Sequence, residues 1–291
     1  MEQSVAFIGL GAMGYRMAAH LPNQFKDVRV WNRSFEKAEA HAAQYATRAV
    51  SLQDALQADF IFSCLPTSQE VESIVYANDI KSGAIWIDCT SGVPESAKAL
   101  AAYLKTKDVA FLDAPVSGQT IGAENATLTF MIGGSHEAFE RAQVPIQCMG
   151  KLIQYVGESG AGFTVKAVNN TLLAAHLWAA AESFSVLKEQ GVDLNAALAC
   201  INASSGKSGV TENILAQRIL NRSFPKTFAL GLLAKDTGIA TDLAREHRLP
   251  VPLLALTQQF IQAAHVSDQN ESDFSAAVKL YEHMSNIKLE Q

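Results

Sequence analysis

One lysine in this sequence stands where a packed helix would favour leucine. Lys166 lies in GAGFTVKAVNN, residues 160 to 170, and the TLLAAHLWAAAESFSVL that follows is mostly apolar or small. Asn170 comes four residues later, so the two side chains share one face of a helix, with Asn169 close by. A lysine whose pKa is lowered by burial gives and takes a proton near neutral pH, as the reduction of a carbonyl requires. The alternative is a lysine at a helix start whose ammonium extends to water.

A second polar cluster follows the apolar run at residues 109 to 115. The segment DAPVSGQTIGAENATLTFMIGG exposes Ser117, Gly118 and Gln119 after that run ends. A serine hydroxyl beside glycine amides makes a compact receptor for a carboxylate. An ordinary turn explains the same residues equally well, so these residues alone leave both interpretations open.

The glycine-rich segment GLGAMG at residues 9 to 14 ends an apolar run and precedes a helical pattern. In a strand–turn–helix unit of this kind, the first glycine permits the tight turn and the second lets a pyrophosphate approach the backbone. The third allows the helix to pack closely. This context favours a dinucleotide site over a turn that is merely rich in glycine. The expected cofactor contacts here are Gly9, Leu10, Gly11, Ala12, Met13 and Gly14.

The residues after the second apolar run predict which dinucleotide binds. An acid at the end of that strand would hold the ribose 2′-hydroxyl of NAD. This sequence instead has Asn32, Arg33 and Ser34, and its next acid, Glu36, already belongs to a helical segment. The guanidinium of Arg33 suits a 2′-phosphate, with Asn32 and Ser34 adding hydrogen bonds. NADP(H) is therefore predicted in preference to NAD(H); the alternative is that Arg33 is a simple surface arginine.

Two further loops follow apolar runs, CLPTS at residues 64 to 68 and CTSGVP at residues 89 to 94. Ligands of doubly wound sheets bind at the carboxyl ends of the strands. Leu65 and Pro66 are therefore expected to flank the dinucleotide, and Thr90 or Ser91 to reach its nicotinamide side. N-capping of the next helix by Thr90 or Ser91 is an equally good explanation.

The elements that must position these residues follow from the periodicity. The first half alternates helical segments with six strand-like runs, at 5–10, 28–31, 60–65, 84–89, 109–115 and 128–134. This alternation is typical of a doubly wound parallel sheet. Residues 163–190 contain neither proline nor glycine, which predicts one long helix ended by Gly191. Further helical patterns then follow at about 193–204, 209–221, 228–246, 252–266 and 272–285.

The predicted fold is therefore α/β followed by all-α. A Rossmann-type domain over residues 1–162 precedes an all-helical domain over residues 163–291, and the long helix joins the two. A chain of 291 residues with 48% hydrophobic and 18% charged residues suits two packed domains.

Charge and cysteine usage exclude several classes of partner. The net charge of -6 and the lack of any basic run speak against nucleic acid and membrane surfaces, which leaves small molecules. MEQSVAFIGLGAMG lacks the features of a signal peptide and no apolar run is long enough to span a membrane, so a cytoplasmic protein is expected. The scattered Cys64, Cys89, Cys148 and Cys200 predict buried free thiols, with no disulfide and no metal site.

Five segments, in order along the chain, resemble the signature segments of the β-hydroxyacid dehydrogenases. They are GLGAMGYRMAAHL, the NRS after the second strand, DAPVSG, GAGFTVKAVNN and LLAKD. This family includes 3-hydroxyisobutyrate dehydrogenase, tartronate semialdehyde reductase and glyoxylate/succinic semialdehyde reductase. The resemblance covers nearly the whole chain, and it implies a homodimer or homotetramer.

The resemblance implies roles for residues up to the start of the long helix. Lys166 matches the catalytic lysine, which protonates the aldehyde oxygen during reduction or accepts the hydroxyl proton during oxidation. Asn170 matches its hydrogen-bonded helper, and Ser117 with Gly118 matches the loop that receives the substrate carboxylate. Ser91 falls where the family usually has a threonine near substrate and nicotinamide.

In the second half, Phe228 matches an aromatic beside the site, and Lys235 and Asp236 match a Lys-Asp pair near cofactor and substrate. From the residues alone, this pair would be a solvated helix face. One departure concerns Gln119, which stands where the family often has a second glycine and so narrows or polarises the carboxylate pocket. Another is CTSG, which replaces the commoner Ser-Thr arrangement before Pro94. One or two pocket side chains, such as those of Gln119, Phe228 or Trp178, can change which substrate binds. The identity of the substrate therefore stays open.

The resemblance implies an NADPH-dependent reductase of a small aldehyde acid, working in reverse as a 3-hydroxyacid dehydrogenase. An imine reductase on the same fold is one alternative, but such relatives usually lack the lysine that is present here as Lys166. A non-catalytic dinucleotide-binding module is another, although relatives of that kind tend to lose the lysine and to carry extra domains. A 6-phosphogluconate dehydrogenase has a related fold but a much longer helical domain, and too little chain follows the first domain here for this alternative.

Overall fold

The computed structural model describes residues 3–268 and 272–290. The chain divides into two compact units, the first ending at Lys166 and the second beginning at Ala167. The outermost residues of the two domains expected from the sequence, 1–2 and 291, lie outside the described part.

The first unit is built on one sheet, which has nine strands in the described residues. Their bounds are β1 Ser4–Ile8, β2 Asp27–Trp31, β3 Arg48–Ala49, β4 Phe60–Ser63, β5 Ile85–Asp88, β6 Ala110–Asp113, β7 Val116–Ser117, β8 Leu128–Gly134 and β9 Gly150–Gly157. The order is β3-β2-β1-β4-β5-β6-β8-β7, with β9 paired to β8. The strands β1 to β6 pair in parallel, whereas β8 runs antiparallel to β6. The predicted Rossmann-type fold is confirmed.

Helices alternate with these strands. Their bounds are α1 Gly14–Ala18, α2 Phe35–Gln44, α3 Leu52–Ala55, α4 Ser68–Ala77, α5 Pro94–Lys105, α6 Gln119–Glu124, α7 His136–Gln147 and α8 Ala161–Glu189. The strands β1, β4 and β5 are buried at every position, because a parallel sheet is covered on both faces. Along β1 the side chains alternate between two cores, with Val5 and Phe7 in one and Ala6 and Ile8 in the other.

Three strands escape the sequence pattern. β3 and β7 have two residues each, too few to show a period. β9 has the sequence GKLIQYVG and no fully buried position, so its residues lack the apolar run that marks the central strands. Its pairing with β8 comes from the tertiary fold and not from local propensity.

The second unit is helical. It continues α8 and adds α9 Leu194–Asn202, α10 Gly209–Asn213, α11 Leu230–Glu246, α12 Pro252–Ser267 and α13 Val278–Ser285. Gly191, at a φ of +70°, follows the end of α8 as expected from the sequence. Residues 209–221 are not one helix as predicted, because a six-residue π-helical segment, Leu215–Leu220, follows α10. A single 3₁₀ turn, Phe274–Ala277, precedes α13.

Within the described ranges, none of the helices is both long enough and apolar enough to cross a membrane.

Candidate active site

The three glycines of the loop after β1 have different surroundings. Gly9 has a φ of +97°, and a Cβ there would lie 2.5 Å from the carbonyl oxygen of Cys64. A Cβ on Gly14 would lie 2.0 Å from the carbonyl oxygen of Gly9. A Cβ on Gly11, by contrast, would meet nothing within 4 Å, and Gly11 is exposed. The fold itself requires glycine at 9 and 14, whereas the bare backbone at 11 suits a pyrophosphate that approaches closely.

Asn32 ties this loop to the turn after β2. Its Oδ1 accepts a hydrogen bond of 2.9 Å from the amide of Leu10, and its Nδ2 donates one of 3.1 Å to the carbonyl of Ser34. The structure thus brings Leu10, Asn32 and Ser34 together. Asn32 holds the loop in shape, a role that the sequence did not suggest. Ala12 is exposed and Met13 half-buried in the same loop.

Arg33 projects from this turn into solvent, with 90% of its side chain exposed. Its Nη1 lies 3.9 Å from Oε1 of Glu70, in the first turn of α4. The other carboxylate oxygen of Glu70 accepts from the amide and hydroxyl of Thr67 at 3.1 and 3.4 Å. These bonds complete a capping box that fixes the start of α4.

Hydrogen bonds join the two loops after β4 and β5, among them one of 2.9 Å from the amide of Val93 to the hydroxyl of Ser68. The amide of Leu65 donates to the hydroxyl of Thr90 at 3.1 Å, while the amide of Thr90 donates to buried Asp88 at 3.0 Å. The alternative that Thr90 or Ser91 caps α5 is wrong, because Val93 is the N-cap residue and offers no side-chain bond. Pro66 is exposed and Ser91 half-buried beside them.

The proposed carboxylate loop has an unusual backbone. Ser117 ends β7 and pairs with Thr129 of β8. Gly118 follows at a φ of +135°, and Gln119, the first residue of α6, has a φ of +57°. Glycine adopts this left-handed conformation at no steric cost, whereas other residues pay about 1 kcal/mol or more. The second glycine that the family resemblance implies at this position would adopt the same conformation without that cost.

Lys166 lies in the second turn of α8, whose start is held by a buried carboxylate. Asp113, at the end of β6, accepts bonds from the amides of Gly160 at 2.8 Å and Phe163 at 3.0 Å. Burial raises the pKa of Asp113 to about 6, although the two amide donors act to lower it. A Cβ on Gly162 would lie 2.3 Å from the carbonyl of Met131, so glycine is required for α8 to begin so close to the sheet.

One turn beyond Lys166 on the same helix, Asn170 is buried and its amide is fixed within the second unit. Its Nδ2 donates to Oδ2 of Asp236 at 2.6 Å, and its Oδ1 accepts from Asn169 at 3.1 Å. Nζ of Lys235 lies 3.6 Å from the other oxygen of Asp236. Three residues that the family resemblance singles out, Asn170, Lys235 and Asp236, therefore form one cluster. Asp236 is 1% exposed, so the interpretation of the pair as a solvated face is wrong for this residue.

Phe228 lies in the loop before α11, which a second buried carboxylate organises. Asp273 accepts from the amides of Thr227 at 2.9 Å and Phe228 at 3.1 Å, and Arg218 pairs with it at 3.3 Å. Burial acts to raise the pKa of Asp273, but these hydrogen bonds and those from Ser275 outweigh burial and lower it.

Trp178, which the sequence also singled out, stacks on Phe260 with 4.1 Å between the ring centroids. This contact is a packing role.

Sequence reasoning missed Asp88, Asp113 and Glu70. Each of the two aspartates ends a buried strand, in IWID and AFLD. A carboxylate that closes a fully apolar run is a signal that could have found both, because such a group must be bound where the strand ends. Glu70 stands three residues after Thr67 and could have been found as the last residue of a capping box.

The cysteines are free thiols. Burial raises the pKa of Cys64 to about 12 and that of Cys89 as well. Cys64 and Cys148 are half-buried and Cys200 is exposed, so the prediction of buried thiols is wrong for Cys200. Among the described residues, no group of three or more His, Cys, Asp or Glu side chains is placed to hold a metal ion.

Comparisons with known proteins agree with this architecture. The family model for the NAD binding domain of 6-phosphogluconate dehydrogenase matches residues 4–157. The model for the NAD-binding domain of NADP-dependent 3-hydroxyisobutyrate dehydrogenase matches residues 160–281.

Individual relatives match over almost the full length. The chain is 33% identical to 2-(hydroxymethyl)glutarate dehydrogenase of Eubacterium barkeri over 99% of both chains. It is also 33% identical to the NAD-dependent L-serine dehydrogenase of Pseudomonas aeruginosa, over 96% of this chain and 98% of that protein. The structure of Mycobacterium tuberculosis 3-hydroxyisobutyrate dehydrogenase with L-serine covers 97% of this chain and 99% of its own, with a TM-score of 0.87 and 27% identity. The resemblance seen in the five segments is thereby confirmed, and the chain belongs to the β-hydroxyacid dehydrogenase family of oxidoreductases, with domains that bind a nicotinamide dinucleotide.

Proposed function

We propose that this protein transfers a hydride between NADP(H) and a small β-hydroxyacid or aldehyde acid, with Lys166 as general acid and base. The observation that carries the proposal is the arrangement on α8, where Lys166 precedes by one turn a buried amide, Asn170, fixed by Asp236. An ammonium beside a rigid amide on one helix face provides both a proton and an oriented hydrogen bond.

The nicotinamide, when bound, supplies or accepts the hydride. The residues of the chain have the remaining tasks. The hydroxyl of Ser117 and the amide of Gly118 bind the substrate carboxylate, and Gln119 narrows that pocket. Nζ of Lys166 gives its proton to the carbonyl oxygen during reduction, and takes it back from the hydroxyl during oxidation. Asn170 orients the reacting oxygen, while Phe228 contacts the substrate.

The names of the relatives narrow the substrate class. 2-(Hydroxymethyl)glutarate, L-serine and 3-hydroxyisobutyrate each carry a primary alcohol on the carbon β to a carboxylate. We therefore infer a substrate in which a CH₂OH group, or the aldehyde derived from it, is bonded to the carbon that bears the carboxylate. Tartronate semialdehyde fits this description. Glyoxylate and succinic semialdehyde are aldehyde acids of other lengths and test its limits.

Arg33 supports NADP(H) over NAD(H). It is exposed at the end of β2, at a place where an acid would select the ribose hydroxyl of NAD. The guanidinium is available to a 2′-phosphate there, and the loop glycines and the residues around Thr90 serve either dinucleotide. Lys235 lies close enough to Asp236 to be held for a cofactor contact.

The test is a screen of purified protein with NADPH and NADH over short aldehyde acids and the three β-hydroxyacids named above. We expect turnover with NADPH, and Lys166→Ala should lower kcat by about 10²- to 10⁴-fold while NADPH binding is retained. Val168→Ala is the matched control, because Val168 is an exposed residue of the same helix. Full turnover in Lys166→Ala would overturn the role of Lys166, and turnover of cyclic imines alone would overturn the reaction.

A further inference from the structure

We propose that Glu70 limits how strongly the protein selects NADP(H) over NAD(H). Its carboxylate partly neutralises the guanidinium of Arg33 and repels the 2′-phosphate that Arg33 would bind. The inference rests on the proposed recognition of the 2′-phosphate by Arg33 and names a residue that tunes it.

The topology puts Arg33 and Glu70 on either side of the glycine loop. In the sheet, β1 lies between β2 and β4, and all three strands are parallel. Arg33 follows the carboxyl end of β2, Glu70 belongs to the helix that follows the carboxyl end of β4, and the glycine loop follows β1 itself. A contact between Arg33 and Glu70 therefore passes over the edge of the sheet where a dinucleotide binds.

The two side chains differ in how firmly they are held. Oε2 of Glu70 is bound by the amide and hydroxyl of Thr67, which leaves Oε1 directed toward Nη1 of Arg33 at 3.9 Å. The Arg33 side chain is 90% exposed and that of Glu70 only 37%. The carboxylate is thus a fixed charge, whereas the guanidinium adjusts its position around it.

A fixed negative charge at this place acts differently on the two cofactors. The 2′-phosphate of NADP(H) carries a charge of about -1.5 to -2 near neutral pH. The carboxylate of Glu70 therefore repels the phosphate and competes with it for the guanidinium of Arg33. NAD(H) has a neutral hydroxyl at the same position, to which a carboxylate is a hydrogen-bond acceptor. Since both side chains are partly solvated, the effect on NADPH is moderate, about 3- to 10-fold in affinity.

Glu70→Gln tests the charge without removing the cap. Glutamine at the third position of a helix completes a capping box as glutamate does, so α4 keeps its start. Dissociation constants of NADPH and NADH are measured by fluorescence titration of the full-length protein. We expect NADPH to bind about 3- to 10-fold more tightly to Glu70→Gln and NADH to change by less than about 2-fold. Glu39→Gln, which removes an exposed carboxylate from α2, is the control for net charge and should leave both constants unchanged.

The outcomes separate this inference from the proposed function. An unchanged or reduced preference of Glu70→Gln for NADPH overturns the role of Glu70. Arg33→Ala, measured in parallel, should weaken NADPH binding and spare NADH. If it does not, the proposed recognition of NADP(H) by Arg33 fails, whatever Glu70→Gln shows. The titrations need no substrate, so failure of the hydride-transfer proposal does not affect either result.

Discussion

Gly11 differs from its neighbours Gly9 and Gly14 in what surrounds its Cα. Protein atoms crowd the two outer glycines, whereas the space beside Gly11 is open for at least 4 Å. All three belong to the same GxGxxG pattern, and the pattern alone does not reveal this difference. At the residue scale, function and folding therefore place separate demands on one short motif.

Substitution by alanine should separate these demands. Gly11→Ala meets no neighbour and should change the free energy of unfolding by less than about 0.5 kcal/mol, while weakening NADPH binding by about 10-fold or more. Gly14→Ala drives its Cβ against the carbonyl of Gly9 and should destabilise the protein by about 2 kcal/mol or more. Urea unfolding measures the first quantity and cofactor titration the second. Equal destabilisation by the two substitutions would contradict this account.

The start of α8 depends on Asp113, a residue of another element. At this scale a strand end acts as the N-cap of a helix, because the carboxylate binds two amides that the helix leaves without intrahelical partners. Gly133 makes room for it, since a Cβ there would lie 2.7 Å from both carboxylate oxygens. Lys166 is three residues beyond the second of these amides, so its position on the helix follows from Asp113.

This arrangement predicts a pH dependence of stability. The pKa of Asp113 rises from 3.8 to about 6 on folding, so the folded state favours the protonated carboxyl. The resulting stability is full below pH 3.8 and is lost as the pH rises through about 6, a change of at most about 3 kcal/mol. In urea unfolding, Asp113→Asn should flatten the fall in unfolding free energy between pH 4 and 7. Identical slopes in the two proteins would contradict it.

The pKa of Asp59 shifts in the opposite direction to that of Asp113, so Asp59 does not contribute to the stability change between pH 4 and 7. Burial acts to raise its pKa, but hydrogen bonds from Lys81 and Ser4 outweigh burial and lower the pKa to about 2. Its contribution is present above pH 3.8 and is lost as the pH falls through about 2. The two carboxylates therefore act in separate pH ranges.

At the scale of the whole molecule, each unit has its own core, and the helical unit also displays apolar residues. Leu253 and Leu256, three residues apart on α12, are 65% and 54% exposed, and Leu249, which precedes that helix, is 59% exposed. Large apolar side chains grouped in this way are typical of protein–protein interfaces. This observation supports the homodimer or homotetramer expected from the family resemblance.

Light scattering of the purified protein should give two or four times the mass of one chain, 31.3 kDa. Leu253→Glu should lower this mass toward that of one chain, because a charge at the centre of an apolar contact is costly. Val266→Glu is the control, since Val266 is 74% exposed on a different face of α12. A monomeric wild-type protein would refute the prediction.

The sequence predicted the fold well where local patterns decide it. Six strands, β1, β2, β4, β5, β6 and β8, and the helix from Ala161 carry apolar runs, and these were placed within a few residues. It failed where a distant partner decides the conformation. The hydroxyl of Thr90 binds Leu65 of a neighbouring loop and caps no helix, and β9 becomes a strand only because β8 pairs with it. The buried partners of Asn170 and of the α8 start were likewise hidden, because they are 66 and about 50 residues away.

The anchoring of α8 also bears on the order in which the chain folds. The two hydrogen bonds of Asp113 close loops of 47 and 50 residues, so forming them costs more chain entropy than forming local contacts does. A chain that ends before Gly160 lacks both amide donors to this carboxylate. Synthesis of the lysine segment then completes the first unit and positions the proposed proton donor in the same step.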